Sequence, residues 1–473
     1  MRRTIDAHAR TMMAALALLG ALLAAGTAAA GSASPGTRPA TRPEAVEKLE
    51  VDRVWPGHPV GFALRTHKGH QFVAYYDAKK RMTVARRRLG ENKWEYKRLP
   101  SRVGWDSHNY ITIAFDRADC LHVSGNMHCS PLVYFRATKS LDIASLEQQR
   151  RMTREGETGV TYPQFMTDGA GRLLFMFRHG SSGNGLRLIN AYDEKTRKWS
   201  RLLKTPLLDG RKQSMNAYPA GSIRKGPDDF FHIVWVWRDT SDCRTNHDIS
   251  YARSRDMLNW ETAAGKPVKL PITPLNKAVV VDPIPTRKGL INISYGLGFD
   301  PEKRPVVHYH NYDKDGNSQI FLARFEGGKW VRRQITDWKY RWNFGGGGCI
   351  AVDLNAGPVS VLDEGHLRQS WRHKKYGSGI WKIDATTLKI VGGLKGLPGW
   401  MPPEVRKVRS TFKRLPMRVH WRSGAGCTTP EGRYFLRWET LEVNRDQPRK
   451  GPLPEPGELN LYLIRQAKPA AGR

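Results

Sequence analysis

The chain has 473 residues and is strongly basic, with 77 lysines and arginines against 44 aspartates and glutamates and a formal net charge of +33. A charge of this size favours polyanionic partners. The five cysteines are too few and too scattered for a disulfide framework, and the sequence has no recognition-helix, zinc-finger or aromatic nucleic-acid motif, which disfavours small disulfide-stapled folds and nucleic-acid readers.

Residues 1–30 have the pattern of an export signal. Arg2, Arg3 and Arg10 precede the apolar run "MMAALALLGALLAAGTAAAG", whose closing alanines suit signal peptidase. Beyond this segment no run of about 18 apolar residues could span a bilayer. We therefore expect a secreted or periplasmic monomer with no membrane insertion. Its expected partner is an acidic polysaccharide and not nucleic acid.

Residues 31–50 are predicted to be a flexible leader. The stretch "GSASPGTRPATRPEA" is rich in Pro, Ser, Thr and Ala and lacks hydrophobic periodicity. Folding is expected to begin near Val51. Residues 51–473 contain no Pro/Ser/Gly linker and no break in composition, so they are predicted to form a single domain.

This domain is built from short β-branched or aromatic segments bounded by Gly, Asp, Asn and Lys turns. The order turn, strand, turn, strand and Lys-Trp strand recurs, and four such units are closed by Trp94, Trp199, Trp260 and Trp330. About seven repeats of about 45 to 65 residues predict an all-β fold, a seven-bladed β-propeller of four-stranded antiparallel blades. The tryptophans are expected to pack within the blades. The best candidate helix is "SLDIASLEQQRRM".

Polar residues recur at equivalent strand ends of successive repeats, where propeller loops gather near the central channel. His108 precedes the first strand of the second repeat, and His128 follows its second strand. Tyr162 opens the third repeat, Arg178 ends the second strand of that repeat, and Arg238 takes the equivalent place in the fourth. Each residue alone has an ordinary structural interpretation, but the recurring position predicts a shared site.

Four segments carry a resemblance to a known family. "SHN", "SGNMHCSPLVYFR", "TYPQF" and "FRHGSSGNG" resemble the BNR-4 repeat family and its seven-bladed polysaccharide lyases, the ulvan lyases and rhamnosyl-glucuronate lyases. The specific motifs lie between residues 105 and 190, where the 20 residues separating the histidines and the 16 separating Tyr162 from Arg178 match the family's catalytic pattern. The resemblance implies a lyase that cleaves a uronate-containing polysaccharide by β-elimination, with glucuronate linked to rhamnose.

The chemistry of such lyases accounts for these residue types. Cleavage removes the weakly acidic C5 proton beside the uronate carboxylate and expels the group on O4, so a cation must stabilise the charge that develops on the carboxylate. Arg178 is the predicted cation. One imidazole or phenol must take the proton and another must protonate the leaving oxygen, and His108 and Tyr162 are the predicted pair. His128 is either a second acid/base group or a neutral donor to the carboxylate.

Four further residues are predicted to bind substrate. Asn109 and Asn126 lie beside the two histidines in the sequence and are expected to orient them or contact the sugar. Arg238 is expected to bind the same carboxylate or a neighbouring sulfate, and Arg341 is a weaker candidate on the far side of the ring. The elimination itself requires no cofactor.

A metal is left unassigned. His308 and His310 lie two residues apart on a predicted strand and so face one side, and Cys349 follows later, a set that could serve a structural zinc ion. A structural calcium ion is implied by the resemblance alone.

Two other classes of function stay open. The stretch "YARSRDMLNWE" resembles the Ser-x-Asp…Trp turn of sialidase-type repeats, one residue short of the usual spacing, and suggests a propeller glycoside hydrolase. Hydrolysis needs two carboxylates flanking the bond, whereas His, Tyr and Arg dominate the strand-end series. A non-catalytic binder of anionic polysaccharide would use the same side chains only as contacts.

Overall fold

The strands of the computed structural model, which describes residues 43–394 and 401–465, form seven antiparallel sheets. Each sheet contains a path of four hydrogen-bonded strands. The predicted all-β, seven-bladed propeller is therefore confirmed. The described residues belong to one compact unit, residues 40–469. The predicted signal and the leader up to residue 42 lie outside the described residues.

The chain forms the first three blades in simple order, each from four consecutive strands. In chain order, β1 (Glu44–Val54) is followed by blade 1 with β2 (Ala63–His67), β3 (His70–Tyr76), β4 (Arg81–Arg88) and β5 (Glu95–Arg102), by blade 2 with β6 (Ile111–Phe115), β7 (Leu121–Gly125), β8 (Tyr134–Ala137) and β9 (Leu146–Gln148), and by blade 3 with β10 (Val160–Thr167), β11 (Leu173–Ser181), β12 (Asn184–Asp193), β13 (Lys198–Arg201) and the short added strand β14 (Leu208–Asp209).

The remaining four blades follow the same plan, three of them with one short added strand. They are blade 4 with β15 (Asn216–Pro219), β16 (Arg224–Lys225), β17 (Phe231–Arg238), β18 (Asn246–Ser254) and β19 (Val280–Asp282), blade 5 with β20 (Tyr295–Phe299), β21 (Pro305–Tyr312), β22 (Ser318–Glu326) and β23 (Lys329–Gln334), blade 6 with β24 (Leu354–Ala356), β25 (Ser360–Asp363), β26 (His366–His373), β27 (Gly377–Asp384) and β28 (Ile390–Gly393), and blade 7 with β29 (Met417–Arg422), β30 (Thr428–Thr429), β31 (Gly432–Leu441) and β32 (Gly457–Arg465).

Helical structure within the described residues is limited to single turns. They are the 3-10 turns Ser107–Asn109, Ile143–Ser145, Arg211–Gln213, Cys243–Thr245 and Lys277–Val279 and the α-helical turn α1 (Pro403–Arg406).

The candidate helix in "SLDIASLEQQRRM" is limited to one 3-10 turn, Ile143–Ser145. Asp142 accepts a hydrogen bond from the backbone N–H of Ala144 and so caps one 3-10 turn, after which Leu146 enters β9 opposite Ala137. The tertiary pairing with β8 outweighs the weak local helix preference, because the sheet buries Leu146.

Blade 7 is completed by a strand from the start of the described chain, since β1 pairs antiparallel with β32 along its length. The expectation of a flexible leader is therefore wrong over residues 44–50. Register shifts between Ala45 and Glu47 and between Glu50 and Asp52 interrupt the alternation of buried and exposed residues in β1. Such irregularities remove the two-residue period that identifies a strand in a sequence.

Tryptophans pack inside the sheet layers, as the repeat pattern predicts. Trp94, Trp199 and Trp260 are buried, and the ring of Trp330 lies 5.4 Å from that of Tyr251. All five cysteines are free thiols. Among the described residues, no helix combines the length and the apolar character needed to cross a membrane.

The register of each blade brings the start of its first strand and the end of its second strand together. In blade 2 Ile111 lies opposite Gly125, and in blade 3 Thr161 lies opposite Arg178. The first strands β2, β6 and β10 are also neighbours. Side chains at these strand ends therefore converge at one end of adjacent blades.

Removing β1 is expected to destabilise the whole ring, because it exposes the backbone of β32 as an unpaired edge and uncovers Val51 and Val54. A chain that begins at Trp55 should lose cooperative unfolding or melt at a clearly lower temperature than one that begins at Pro43. Thermal denaturation followed by circular dichroism compares the two. Equal melting temperatures would contradict closure by β1.

Candidate active site

Blade 2 supplies two histidines from its converging strand ends. The 3-10 turn Ser107–Asn109 precedes β6 and is capped by Asp106, whose carboxylate accepts the backbone N–H of His108 at 2.8 Å. His128 follows β7 in a loop where Asn126 and Cys129 both adopt positive φ, 61° and 53°. This tight turn brings the ring of His128 back over the turn that carries His108.

One carboxylate bridges the two imidazoles. Asp106 Oδ1 lies 2.6 Å from His108 Nδ1, and Asp106 Oδ2 lies 2.5 Å from His128 Nδ1. The rings stack with 4.1 Å between centroids and 25° between planes. Because a carboxylate only accepts, both Nδ1 atoms must carry protons, and the two Nε2 atoms face away from Asp106.

The bridge favours the protonated form of His128. Although burial alone would lower it, the hydrogen bond to Asp106 raises the pKa of His128 to about 9. The same two imidazoles hold the pKa of Asp106 far below its usual range against the effect of burial.

A second carboxylate, which sequence reasoning missed, anchors this loop from blade 7. Asp446 lies between β31 and β32 and accepts the backbone N–H groups of Ser107 and Cys349 at 3.0 and 2.9 Å. It also bonds His58 Nε2 at 3.0 Å and lies 3.7 Å from His108 Nδ1. Segments far apart in the chain thus fix the position of His108.

Tyr162 stands beside the histidine pair on a bulge of β10. Its backbone has a φ of 58°, where the pairing with β11 shifts register. The phenol ring meets the ring of His108 edge to face at 5.5 Å and lies 6.2 Å from that of Tyr218. Burial, reinforced by Tyr218, raises the pKa of Tyr162 well above its ordinary value. Tyr162 is therefore a neutral phenol at neutral pH, and its hydroxyl can donate a hydrogen bond.

Arg178 is buried next to these groups and is partly engaged by the protein itself. Its Nη2 donates to Thr161 Oγ1 at 2.8 Å and to Cys129 Sγ at 3.0 Å, and its guanidinium carbon lies 5.1 Å from the centre of the Tyr162 ring. A hydrogen bond from His128 and the charge of Arg178 lower the pKa of the Cys129 thiol to about 7. This thiol was not among the predicted site residues.

A cavity of about 650 Å³ opens beside Tyr162. Tyr110, Arg187 and Tyr218 also line it, and none of them was predicted. Although burial opposes the shift, the cations Arg238 and Arg178 lower the pKa of Tyr218 below its ordinary value. The signal for Arg187 is visible in the sequence, because it is the single charge in the apolar strand "GLRLINAY".

None of the four residues predicted to bind substrate, Asn109, Asn126, Arg238 and Arg341, lies in the wall of this cavity. The backbone carbonyl of Asn109 accepts the Tyr76 hydroxyl, and Asn126 donates to Ser101 and Arg102 of blade 1. These bonds give both asparagines a part in holding their loops.

The two predicted arginines are also held by their own surroundings. Arg238 donates to the carbonyls of Thr240 and Ser241 and packs 5.2 Å from the centre of the Tyr218 ring. Arg341 donates to Gly316 and stacks on Tyr312, away from the cavity.

The possible metal ligands are arranged differently from the expectation. His308 and His310 are both buried on β21, and His310 Nδ1 bonds the carbonyl of Gly289, whereas Cys349 lies by the Asp446 loop. Among the described residues, the cluster of three potential metal ligands whose atoms all lie within 4.8 Å of one another consists of Asp106, His108 and His128. The Nδ1 atoms of these two histidines are already hydrogen-bonded to Asp106. His308, His310 and Cys349 are not members of this cluster, so the geometry does not support a zinc site on them.

Replacing Asp106 with Asn removes the charge that holds the His128 proton, so the pKa of His128 should fall from about 9 toward the ordinary value of about 6.5. In the unsubstituted protein this pair stabilises the fold fully below that ordinary value and loses its contribution as pH rises through about 9. Imidazole NMR titration measures the change. Asp363→Asn, beside His366 at 2.7 Å, is the matched control and should leave the His128 titration unchanged. An unaltered titration in Asp106→Asn would rule out the bridge.

Two curated relatives share short stretches with this chain. The short isoform of ulvan lyase from Alteromonas sp. (strain LOR) is 38% identical over 68 residues, 14% of this chain and 13% of that protein. The long isoform of ulvan lyase from Glaciecola sp. (strain KUL10) is 44% identical over 45 residues, 10% of this chain and 4% of that protein. The chain therefore matches only a small part of these relatives.

Solved structures show the same fold at low identity. The polysaccharide lyase Uly1 superposes with a TM-score of 0.58 at 14% identity, covering 89% of this chain and 99% of that one. A PL25 ulvan lyase bound to -[GlcA(1-4)Rha3S]- gives a TM-score of 0.56 at 14% identity, covering 89% and 96%. The family model described as "BNR repeat-containing family member" matches residues 70–338, more than half of the chain. The expected relationship is confirmed, and the chain belongs to the BNR repeat-containing family.

Proposed function

We propose that this protein is a polysaccharide lyase that cleaves a uronate-containing polysaccharide by β-elimination. The observation that carries the proposal is the histidine pair bridged by Asp106, placed within ring contact of Tyr162 and close to the buried Arg178. The set combines a proton acceptor, a proton donor and two cations. The fold shared with solved polysaccharide lyases supports the same reaction class.

Arg178 and the His128 imidazolium are the cations proposed to stabilise the negative charge that develops when the weakly acidic C5 proton is removed. Loss of the C5 proton places additional negative charge on the uronate carboxylate, and preorganised donors around those oxygens stabilise it. Arg178 and the His128 imidazolium, whose pKa is raised to about 9, are placed to do so at neutral pH. Of the two roles open to His128, the charged form favours carboxylate binding.

His108 and Tyr162 divide the proton transfers. The Asp106 bond fixes the Nδ1–H tautomer of His108, so Nε2 can accept the C5 proton. The raised pKa of Tyr162 keeps its hydroxyl protonated, so it can deliver a proton to O4. The C4–O4 bond then breaks, its electron pair leaves with the oxygen, and the electrons of the C5–H bond form the C4=C5 double bond. The step balances without water or a cofactor.

The substrate class follows from charge and from the relatives. A chain with net charge +33 attracts acidic polysaccharide. Ulvan lyases and the -[GlcA(1-4)Rha3S]- ligand of one relative favour glucuronate linked to rhamnose as the cleavage site. The export signal predicted in residues 1–30 supports a reaction outside the cytoplasm.

A glycoside hydrolase is less favoured. Asp106 and Asp446, the two carboxylates of the site, are occupied by histidines and backbone N–H groups, and both have lowered pKa values, so neither suits a general acid. The sialidase-like motif forms a structural turn, in which Asp256 accepts the backbone N–H groups of Leu258 and Asn259.

The proposal is tested by mixing the purified protein separately with ulvan, gum arabic and other uronate-containing polysaccharides and following the ultraviolet absorbance of each mixture. The absorbance should rise with at least one of these polysaccharides, because elimination alone produces the absorbing unsaturated uronate. His108→Ala and Tyr162→Phe should each lower the rate by about 10²- to 10⁴-fold, the range for a lost acid or base. His70→Ala, at a half-buried position of blade 1, and Tyr96→Phe, at an exposed position of the same blade, serve as matched controls and should keep full activity.

Three outcomes would contradict the proposal in different ways. New reducing ends without unsaturated product would indicate a hydrolase. Binding without cleavage of any uronate-containing polysaccharide would indicate a binder. Full activity in both His108→Ala and Tyr162→Phe would refute the assigned roles.

A further inference from the structure

Two arginines face each other across blade 3. Arg178 on β11 and Arg187 on β12 are direct partners in the antiparallel register. Both are buried, with 1% of Arg178 and 3% of Arg187 exposed. Like charges directly opposite one another destabilise a sheet, and burial makes each unpaired charge more costly. Burying this arginine pair therefore costs stability, and this cost points to a functional reason for keeping it.

The two arginines differ in the hydrogen bonds that their side chains make with the protein. Arg178 donates to Thr161 and Cys129. For Arg187 no side-chain hydrogen bond or ion pair is formed with any residue in the described parts of the chain, and its buried Nε is without a partner. Its guanidinium carbon lies 5.1 Å from the centre of the Tyr162 ring. Burial and repulsion from Arg178 lower the pKa of Arg187 to about 10, so it is still a cation at neutral pH.

Arg187 also differs from Arg178 in lining the 650 Å³ cavity. Among the described residues of the cavity wall there are two more arginines, the exposed Arg224 and Arg422, and no aspartate or glutamate. A buried guanidinium that opens onto a cavity without a counterion has donors available for an anion from outside. A planar guanidinium suits a carboxylate or sulfate group, which it can bind through two parallel hydrogen bonds.

We propose that Arg187 is the anion-binding residue of this cavity and takes an oxyanion of the polysaccharide substrate. The inference rests on the proposed function for the identity of the substrate. The oxyanion has two sources with one chemistry, the carboxylate of the uronate under attack or an acidic group on a neighbouring sugar. In either case the substrate supplies the charge that the protein lacks at this point.

Binding is tested first without turnover, by titrating inorganic sulfate into the full protein in a calorimeter at constant ionic strength, with chloride as the reference. Arg187→Gln should weaken sulfate binding by at least about tenfold, the effect of losing a charge-assisted hydrogen bond. It should also raise the melting temperature, because an unpaired buried charge is removed. A merely structural arginine would do the reverse.

Arg253→Gln is the matched control, since Arg253 is a partly buried blade arginine paired with Glu261 at 2.7 Å. It should leave sulfate binding unchanged. If Arg187→Gln does not fold, Arg187→Lys keeps the charge but loses the planar fork, and sulfate affinity should still fall severalfold. Sulfate binding equal to that of the unsubstituted protein in the folded variant, or no sulfate binding by the unsubstituted protein, overturns the proposal.

Steady-state kinetics on a cleaved polysaccharide separate the two sources. If Arg187 holds the carboxylate under attack, Arg187→Gln should lower kcat by about tenfold or more, because charge grows on that carboxylate in the transition state. If it holds an acidic group on a neighbouring sugar, KM should rise with kcat retained. Unchanged kcat and KM would overturn the proposal. A protein that binds sulfate through Arg187 but cleaves no polysaccharide would refute the lyase assignment alone.

Discussion

The candidate site depends on one interaction, the bridging of two imidazoles by Asp106. Without a shared carboxylate, two rings at 4.1 Å would have no fixed tautomer and no preferred charge. With it, both Nδ1 atoms become donors, the pKa of His128 is raised to about 9 and Nε2 of His108 faces away from the carboxylate. A single side chain therefore gives both histidines a fixed tautomer and raises the pKa of one of them, His128.

Positive charge is the second feature of the site. Arg178 and Arg187 each lie 5.1 Å from the centre of the Tyr162 ring, and His128 stacks on His108, while the nearby carboxylates Asp106 and Asp446 are engaged with histidines and backbone N–H groups. The site is thus short of negative charge in its free state. An anionic sugar entering it would relieve repulsion between the arginines and gain donors that are already oriented, so affinity and transition-state stabilisation have the same physical origin.

The propeller supplies the rigidity that this arrangement needs. Antiparallel register within each blade sets the start of the first strand beside the end of the second, and this places Asp106 beside His128 and Thr161 beside Arg178. Ring closure by β1 then matters for the site as well as for stability. Asp446 lies in the blade that β1 completes, and it reaches back to hold Ser107.

The sequence by itself determined the fold class and predicted most of the side chains that meet at the candidate site. Alternating short strands, recurring tryptophans and the strand-end positions of His108, His128, Tyr162 and Arg178 are local patterns, and a two-residue period with turn residues suffices to show them. Asp106 is also visible in the sequence, in "WDSHN", two residues before His108. Its role as a bridge depends on where His128 lies in space, which the sequence does not show. Only the tertiary structure decided that Asp446 supports the loop, that β1 belongs to blade 7 and that Arg187 is buried without a counterion. These are contacts between residues far apart in the chain or across a blade, and no local period records which distant groups meet or which charge is left unpaired.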